Sequence, residues 1–173
     1  VLEPGLAETG AEALSFVRDR LWDDDEGRLR RRWKDGDVKG PGYLEDYAAL
    51  ARGAFDLYQV TGEVSHLGFA LDLADAVVEE FDDPGRGTLY FTPQSGESLV
   101  ARPQETADQS TPSSIGVATD LLLALEHFAP DAEFGDVATD VLGTHAERIR
   151  GRPTEHVSLA LAADVRDRGH VEL

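Results

Sequence analysis

Apolar residues recur at three- and four-residue intervals along most of this chain, the signature of helices with one buried face. Counting that spacing predicts five or six helices, over about residues 6–21, 43–60, 64–81, 113–128, 134–150 and 155–168. Their ends carry punctuation. TGE separates the second helix from the third, DDPGRG stops the third, Pro-Ser-Ser opens the fourth and Gly-Arg-Pro stops the fifth. Two connections are long. Residues 23–42 are rich in charge and turn formers, and their middle, residues 28–33, reads as a short strand or hairpin arm. Residues 93–112 form a polar loop with three prolines, and residues 88–92 just before it read as a short strand. Pairs of helices alternating with elaborated connections predict an all-α fold, a stack of helical hairpins with short β-hairpin or strand insertions.

Placing the second helix on a wheel puts Tyr43, Tyr47, Leu50, Ala54, Leu57 and Tyr58 on one stripe, widened by Leu44, Ala48 and Phe55. Glu45, Arg52, Asp56 and Gln59 lie opposite. Asp46 falls at the edge of the apolar stripe, where an ionised carboxylate needs partners. Two readings stay open for it: a pocket acid with a tuned pKa, or a first-turn Asp that accepts free backbone N–H groups. His66 and His145 sit mid-stripe and read as core residues; His127 is on a polar face, His170 is near the terminus, and His156 opens the last helix close to a loop. No His pair has i,i+4 spacing, so no metal site is expected. The acidic run DDDEG at 23–27 lacks the alternating ligands of a calcium loop. The stretch RPQETADQSTPSS, residues 102–114, gathers Arg102, Gln104, Glu105, Asp108, Ser113 and Ser114 just before a helix start. It is either a solvated crossover, with the serines as a cap, or a site offering acids and an arginine to a polyol.

Composition narrows the partners. There are 34 Asp and Glu against 16 Lys and Arg, a formal net charge of -18, yet 41% of residues are hydrophobic. Periodicity at that hydrophobic content argues against disorder. The expectation is a carboxylate-rich surface adapted to concentrated salt, as in a cytoplasmic protein of an extreme halophile. Such a surface repels phosphate, so neither nucleic acid nor anionic membrane is an expected partner. The absence of Cys excludes disulfides, thiolate metal sites and Cys nucleophiles within these 173 residues. The chain starts at Val1 and contains no Met, which points to a single domain over residues 1–173 cut from something longer.

Several motifs in order, RRRWKDG, GPGYLEDYA continuing to VTGE, ALDLADAVVEEFDD and RPQETADQSTPSS before a Leu-rich helix, together resemble the helical C-terminal part of one family. It is the thioredoxin-domain-containing family that includes spermatogenesis-associated protein 20. The likeness covers roughly residues 28–160. It implies a partial (α/α)6 toroid, similar to six-hairpin glycosidases and to N-acylglucosamine 2-epimerase, with a pocket at one end lined by hairpin loops and helix starts. By that likeness the segment around Asp46 and the loop 102–114 face the pocket. Asp46, Glu105 and Asp108 are then the candidate catalytic acids, with Arg102, Ser113, His156 beside its loop and the sugar-stacking aromatics Trp33, Tyr43 and Tyr47 as candidate substrate-binding residues. Two functions follow as expectations: a carbohydrate-binding or carbohydrate-acting domain without cofactor, or a non-catalytic helical scaffold for the thioredoxin-like domain that these residues lack. An open toroid edge also admits a homodimer. Ile115 departs from the family pattern, which has a polar Asn at that helix start.

Overall fold

The computed structural model describes residues 4–96 and 101–169. Residues 97–100 of the long loop and His170 lie outside these. Among the described residues the chain forms helices α1 (Pro4–Leu21), α2 (Leu44–Thr61), α3 (Val64–Phe81), α4 (Ser114–Leu125), α5 (Phe134–Gly151) and α6 (Val157–Arg168). Strands β1 (Trp22–Asp23), β2 (Arg28–Lys34) and β3 (Asp37–Pro41) form one antiparallel sheet between α1 and α2. Strands β4 (Asp82–Asp83) and β5 (Thr88–Leu89) pair after α3. The expected hairpin arm at 28–33 is therefore real, but its partner β3 is absent from the periodicity reading. The pattern Asp-Val-Lys-Gly-Pro has one apolar side chain before its glycine, too little alternation to mark a strand. The helix expected from 155 starts at Val157, after a 3-10 turn at Pro153–Glu155, because Pro153 supplies a first-turn residue without an N–H. The strand expected over 88–92 stops at Leu89.

The two β connections repeat one device 60 residues apart. Each opens on an Asp at the end of a helix, and a glycine four residues later with positive φ turns the chain back. Asp23 accepts the N–H groups of Asp25 and Glu26, and the Gly27 N–H reaches the Asp23 carbonyl at 2.8 Å. Asp83 accepts from Gly85, and the Gly87 N–H reaches the Asp83 carbonyl at 2.8 Å. Gly27 (φ 64°) and Gly87 (φ 57°) take the left-handed conformation that other residues adopt at a cost. The run DDDEG is thus a self-capped turn. Leu29 and Leu89, both buried, follow at the same distance and anchor each arm to the core.

The core lies between α2, α3, α4 and α5, with α6 packed on α4. Ten of the twelve residues of α4 are buried, so this helix is apolar nearly all round. α2 buries Leu44, Tyr47, Ala48, Ala51, Ala54 and Phe55, while Leu50, Leu57 and Tyr58 are only half covered. The buried stripe is rotated from the one centred on Leu50 and Leu57, because α3 and α4 cover α2 more completely than α1 does. Two polar links tie the insertions to this core. The Leu29 N–H donates to the Tyr47 hydroxyl at 2.7 Å, and the Gly42 N–H donates to the Leu29 carbonyl at 2.7 Å. A Cβ at Gly42 would meet both Leu29 O and the Tyr47 ring at 2.9 Å, so only glycine fits there.

His145 is 1% exposed on α5, and its Nε2 is hydrogen-bonded to the buried Thr88 hydroxyl at 2.9 Å. Burial, with Arg148 and His156 nearby, lowers its pKa to about 4. The unfolded chain takes up a proton near pH 6.5 that the fold refuses until about pH 4. Stability is therefore lost as pH falls through that window, by up to about 3 kcal/mol. Urea unfolding at pH 7 and pH 4.5 should show a smaller loss for His145→Gln than for the wild type. Close packing at the start of α4 gives a second expectation. A Cβ on Gly116 would stand 2.2 Å from Ser158 Oγ and 2.6 Å from Ser158 Cβ. Gly116→Ala should cost about 1–3 kcal/mol by overpacking, measured as a lowered urea midpoint.

Candidate functional site

A cleft of about 820 Å³ opens between α1, β2, α2 and the start of α4. Its apolar lining is aliphatic and small: Val17 and Leu21 from α1, Leu29, then Ala48, Ala49, Leu50 and Gly53 from α2, and Val117 from α4. Its polar rim carries Arg31, Glu45, Asp46, Arg52, Asp56 and Ser114. Asp46 stands at the third position of α2. It accepts the Tyr43 N–H at 2.8 Å and an Arg31 guanidinium N–H at 2.9 Å. Arg31 also binds Glu45 at 2.8 Å and lies over the Tyr43 ring, 4.4 Å from its centroid. Burial raises the Asp46 pKa against the pull of the Tyr43 N–H and Arg31. Both open readings of Asp46 thus have a counterpart: the carboxylate caps the helix, and it also lines the cleft.

Glu105 is exposed on the loop. Its pKa is raised by partial desolvation and by the charge of Glu45, while the Ser114 hydroxyl favours its ionised form. Glu105 does not line the cleft itself, but it stands beside Glu45 and Ser114, which line it together with Asp46. The structure does not bring Arg102 or Asp108 there. The Arg102 guanidinium donates to the Glu80 carbonyl at 2.9 Å and twice to the Thr92 carbonyl, and it lies over the Tyr90 ring at 4.4 Å. Its role is to pin the loop to the end of α3, and desolvation lowers its pKa.

Asp108 joins the starts of two helices. Its carboxylate accepts the Ser113 N–H at 2.7 Å, the Ser158 N–H at 2.9 Å and the Ser158 hydroxyl. Burial alone would raise its pKa, but these hydrogen bonds outweigh it and hold the carboxyl below its usual range. Ser113 is the N-cap of α4, accepting the Gly116 N–H at 3.1 Å and sharing a hydrogen bond with Ser158 Oγ at 3.0 Å. Its engaged hydroxyl matches the cap role read from the sequence.

The remaining candidates are also committed. Tyr47 is buried with its hydroxyl on Leu29, and Tyr43 packs against Phe91 at 5.0 Å. Trp33 is 37% exposed and stands edge-on to Phe16 at 5.5 Å. His156 is buried, with Nδ1 on the Arg152 carbonyl at 3.0 Å, which fixes the proton on that nitrogen. None of these four lines the cleft. The organising residue of the rim, Arg31, was not singled out by the sequence reading. Strand alternation could have found it, since Arg31 shares a face with the apolar Leu29. Ser158 carries no such signal, because its partner is 50 residues away.

Among the described residues no three His, Asp or Glu side chains cluster as metal ligands, and no helix is long and apolar enough to cross a membrane.

Hydrogen bonds from Asp108 give a prediction with a defined pH range. Asp108→Asn should lower stability by about 2–3 kcal/mol at pH 7, since charge-assisted hydrogen bonds are lost. Asp46→Asn should cost less, because the Tyr43 N–H keeps an acceptor. A depressed carboxylate pKa stabilises the fold above its unfolded value near 3.9, and that contribution disappears as pH falls through the folded value. The gap between wild type and Asp108→Asn in urea unfolding should therefore close only below about pH 4.

No protein-family model matches the chain. Comparison with curated proteins does find relatives. Over 162 residues, 86% of this chain, it is 33% identical to spermatogenesis-associated protein 20 of Mus musculus. Over 157 residues it is 31% identical to the Homo sapiens protein of the same name. The chain spans about a fifth of the length of these relatives: 20% in each case. At that identity and coverage the chain is homologous to a region of spermatogenesis-associated protein 20.

Proposed function

We propose that this chain is a toroid-type helical domain of a thioredoxin-domain-containing protein. In this reading it is a non-catalytic helical module, and its cleft seats helices from the remainder of the polypeptide. The observation that carries this reading is the state of the cleft's polar groups. Glu45 and Asp46 are held by Arg31, and Asp56 by Arg52. The floor they border is aliphatic. Ala49 and Gly53, four apart on α2, leave room for a helix to approach closely. A polyol needs uncommitted hydrogen-bonding groups and an aromatic face, yet Trp33, Tyr43, Tyr47 and Arg102 are spent on the fold. The relatives extend well beyond the aligned region, which supplies an occupant. The device repeated at Asp23 and Asp83 supports a fold built from recurring helical units, as in an (α/α) toroid.

A second reading rests on its own observation. Asp46 in the cleft and Glu105 beside it both have raised pKa values, the property a general acid requires. On that reading the cleft binds or acts on a carbohydrate, and Asp46 and Glu105 carry the acid chemistry.

One pair of measurements separates them. A thermal-shift screen of mono- and disaccharides, on wild type and Asp46→Asn, should show no sugar-dependent rise in Tm. Ligand binding stabilises by RT ln(1 + [L]/Kd), so even millimolar affinity registers at high sugar concentration. Hydrogen exchange should show the amides of Ala49, Leu50 and Gly53 better protected in the longer polypeptide than in this chain alone. A sugar-specific shift that is lost in a folded Asp46→Asn variant would overturn the scaffold reading in favour of the carbohydrate one.

A further inference from the structure

The β2–β3 hairpin is an electrostatic anomaly. The chain carries -18, but six of its 16 cations fall between residues 28 and 39, against the two carboxylates Asp35 and Asp37. Alternation along β2 divides them. Arg31 and Trp33 face the helices, while Arg30, Arg32 and Lys34 share the opposite face. The register places Lys39 directly across from Arg32, and Asp37 across from Lys34. Residues 31–41 are all exposed. Arg30 is paired with Glu26 and Asp23, and Lys39 reaches Asp37 on its own strand. Among the described residues, Arg32 and Lys34 have no carboxylate within ion-pair distance.

Like charges directly opposite on a sheet face destabilise it. Asp37 partly offsets Lys39, but among the described residues no carboxylate reaches Arg32, although 34 were available to the chain. A lysine on the outer strand β3 guards a sheet edge against unwanted pairing. That accounts for Lys39 but not for Arg32 and Lys34 on the neighbouring strand. The tip is tightly made, with Asp35 (φ 53°) and Gly36 (φ 84°) both left-handed, as a two-residue hairpin turn requires. A defined turn holds the cationic face in one shape.

We propose that the outer face of the β2–β3 hairpin, with Arg30, Arg32, Lys34 and Lys39, docks a short acidic segment of a partner protein. Carboxylates of that segment pair with Arg32 and Lys34 and relieve the opposed Arg32–Lys39 pair. Charge complementarity selects the partner's chemistry. The basic face is small and bordered by Asp24, Asp25, Glu26 and Asp35, so an extended polyphosphate that overran it would meet repulsion. A second copy of this chain brings its whole negative surface with it. A short carboxylate segment avoids both penalties. Arg30 also borders the cleft, but Arg32, Lys34 and Lys39 do not, so the inference does not depend on what fills the cleft.

The probe is a fluorescein-labelled octaglutamate, followed by anisotropy at the lowest salt that keeps the far-UV circular dichroism native. Binding should weaken steeply with added salt. The double variant Arg32→Glu, Lys39→Glu should bind at least tenfold more weakly while keeping the native spectrum. A more conservative variant, Arg32→Gln, should weaken binding and guards against a folding artefact. Arg150→Glu, far from the hairpin on α5, should leave it unchanged. Absent binding to the folded wild type, or equal binding by the folded double variant, would overturn the proposal. So would tighter binding of a labelled eight-nucleotide single strand than of octaglutamate. Sedimentation showing a wild-type dimer that the double variant abolishes would also overturn it, by making a second copy the occupant.

Discussion

A single carboxylate, that of Asp108, sets the geometry on which the cleft depends. It accepts from Ser113 at the start of α4 and from Ser158 at the start of α6, so it satisfies free donors at two helix ends at once. It works together with Gly116, whose missing side chain lets Ser158 come within contact of α4. With those two ends fixed, α4 lies against α6 on one side and α2 on the other. Thr111, Pro112 and Ser114 are thereby carried to the cleft wall. An acid that reads as catalytic from its loop position is a fastener, and its lowered pKa follows from hydrogen bonds to its charged form.

The same logic separates the other polar groups. Glu80, 4% exposed at the end of α3, accepts from Ser95 and pairs with Arg28 at 3.0 Å, so it links the β2 insertion to the 93–96 segment. Arg102 closes that corner from the other side through main-chain carbonyls. Arg31 does the corresponding work at the cleft, where it neutralises Glu45 and Asp46 and covers Tyr43. In a chain with 34 carboxylates, the few arginines placed near the core each hold more than one element, and the planar five-donor guanidinium is suited to that. What remains unneutralised is informative. Among the described residues Glu105 has no ion pair, and Arg32 and Lys34 keep free charge on the hairpin.

Much of the fold was legible because helices announce themselves locally. The spacing gave α2 and α3 to within a residue at each end, and Gly-Glu between them is so short that the two must run antiparallel. Ser113 was readable as a cap and His145 as a core residue, since both roles follow from position on a single helix. The candidate site was less legible. Arg102, Glu105 and Asp108 are near neighbours in sequence, yet only Glu105 stands beside cleft residues, Glu45 and Ser114. Which way each turns is decided by partners at residues 80, 92 and 158, about 10 to 50 positions away.

The sequence by itself determined the helical class, the bounds of α2 and α3, the acidic composition and the likeness that homology to a region of spermatogenesis-associated protein 20 then supported. Those properties follow from the 3.6-residue period, from capping and turn residues, and from composition, all of which are local or additive. Tertiary structure alone decided which side of α2 is buried, that Asp108 and Arg102 serve the fold, and that Arg31 governs the cleft rim. It also decided that Arg32 faces Lys39 with no carboxylate near Arg32. Each of these depends on a pairing between distant segments, and no periodicity along one segment specifies the charge or donor that another will bring to it.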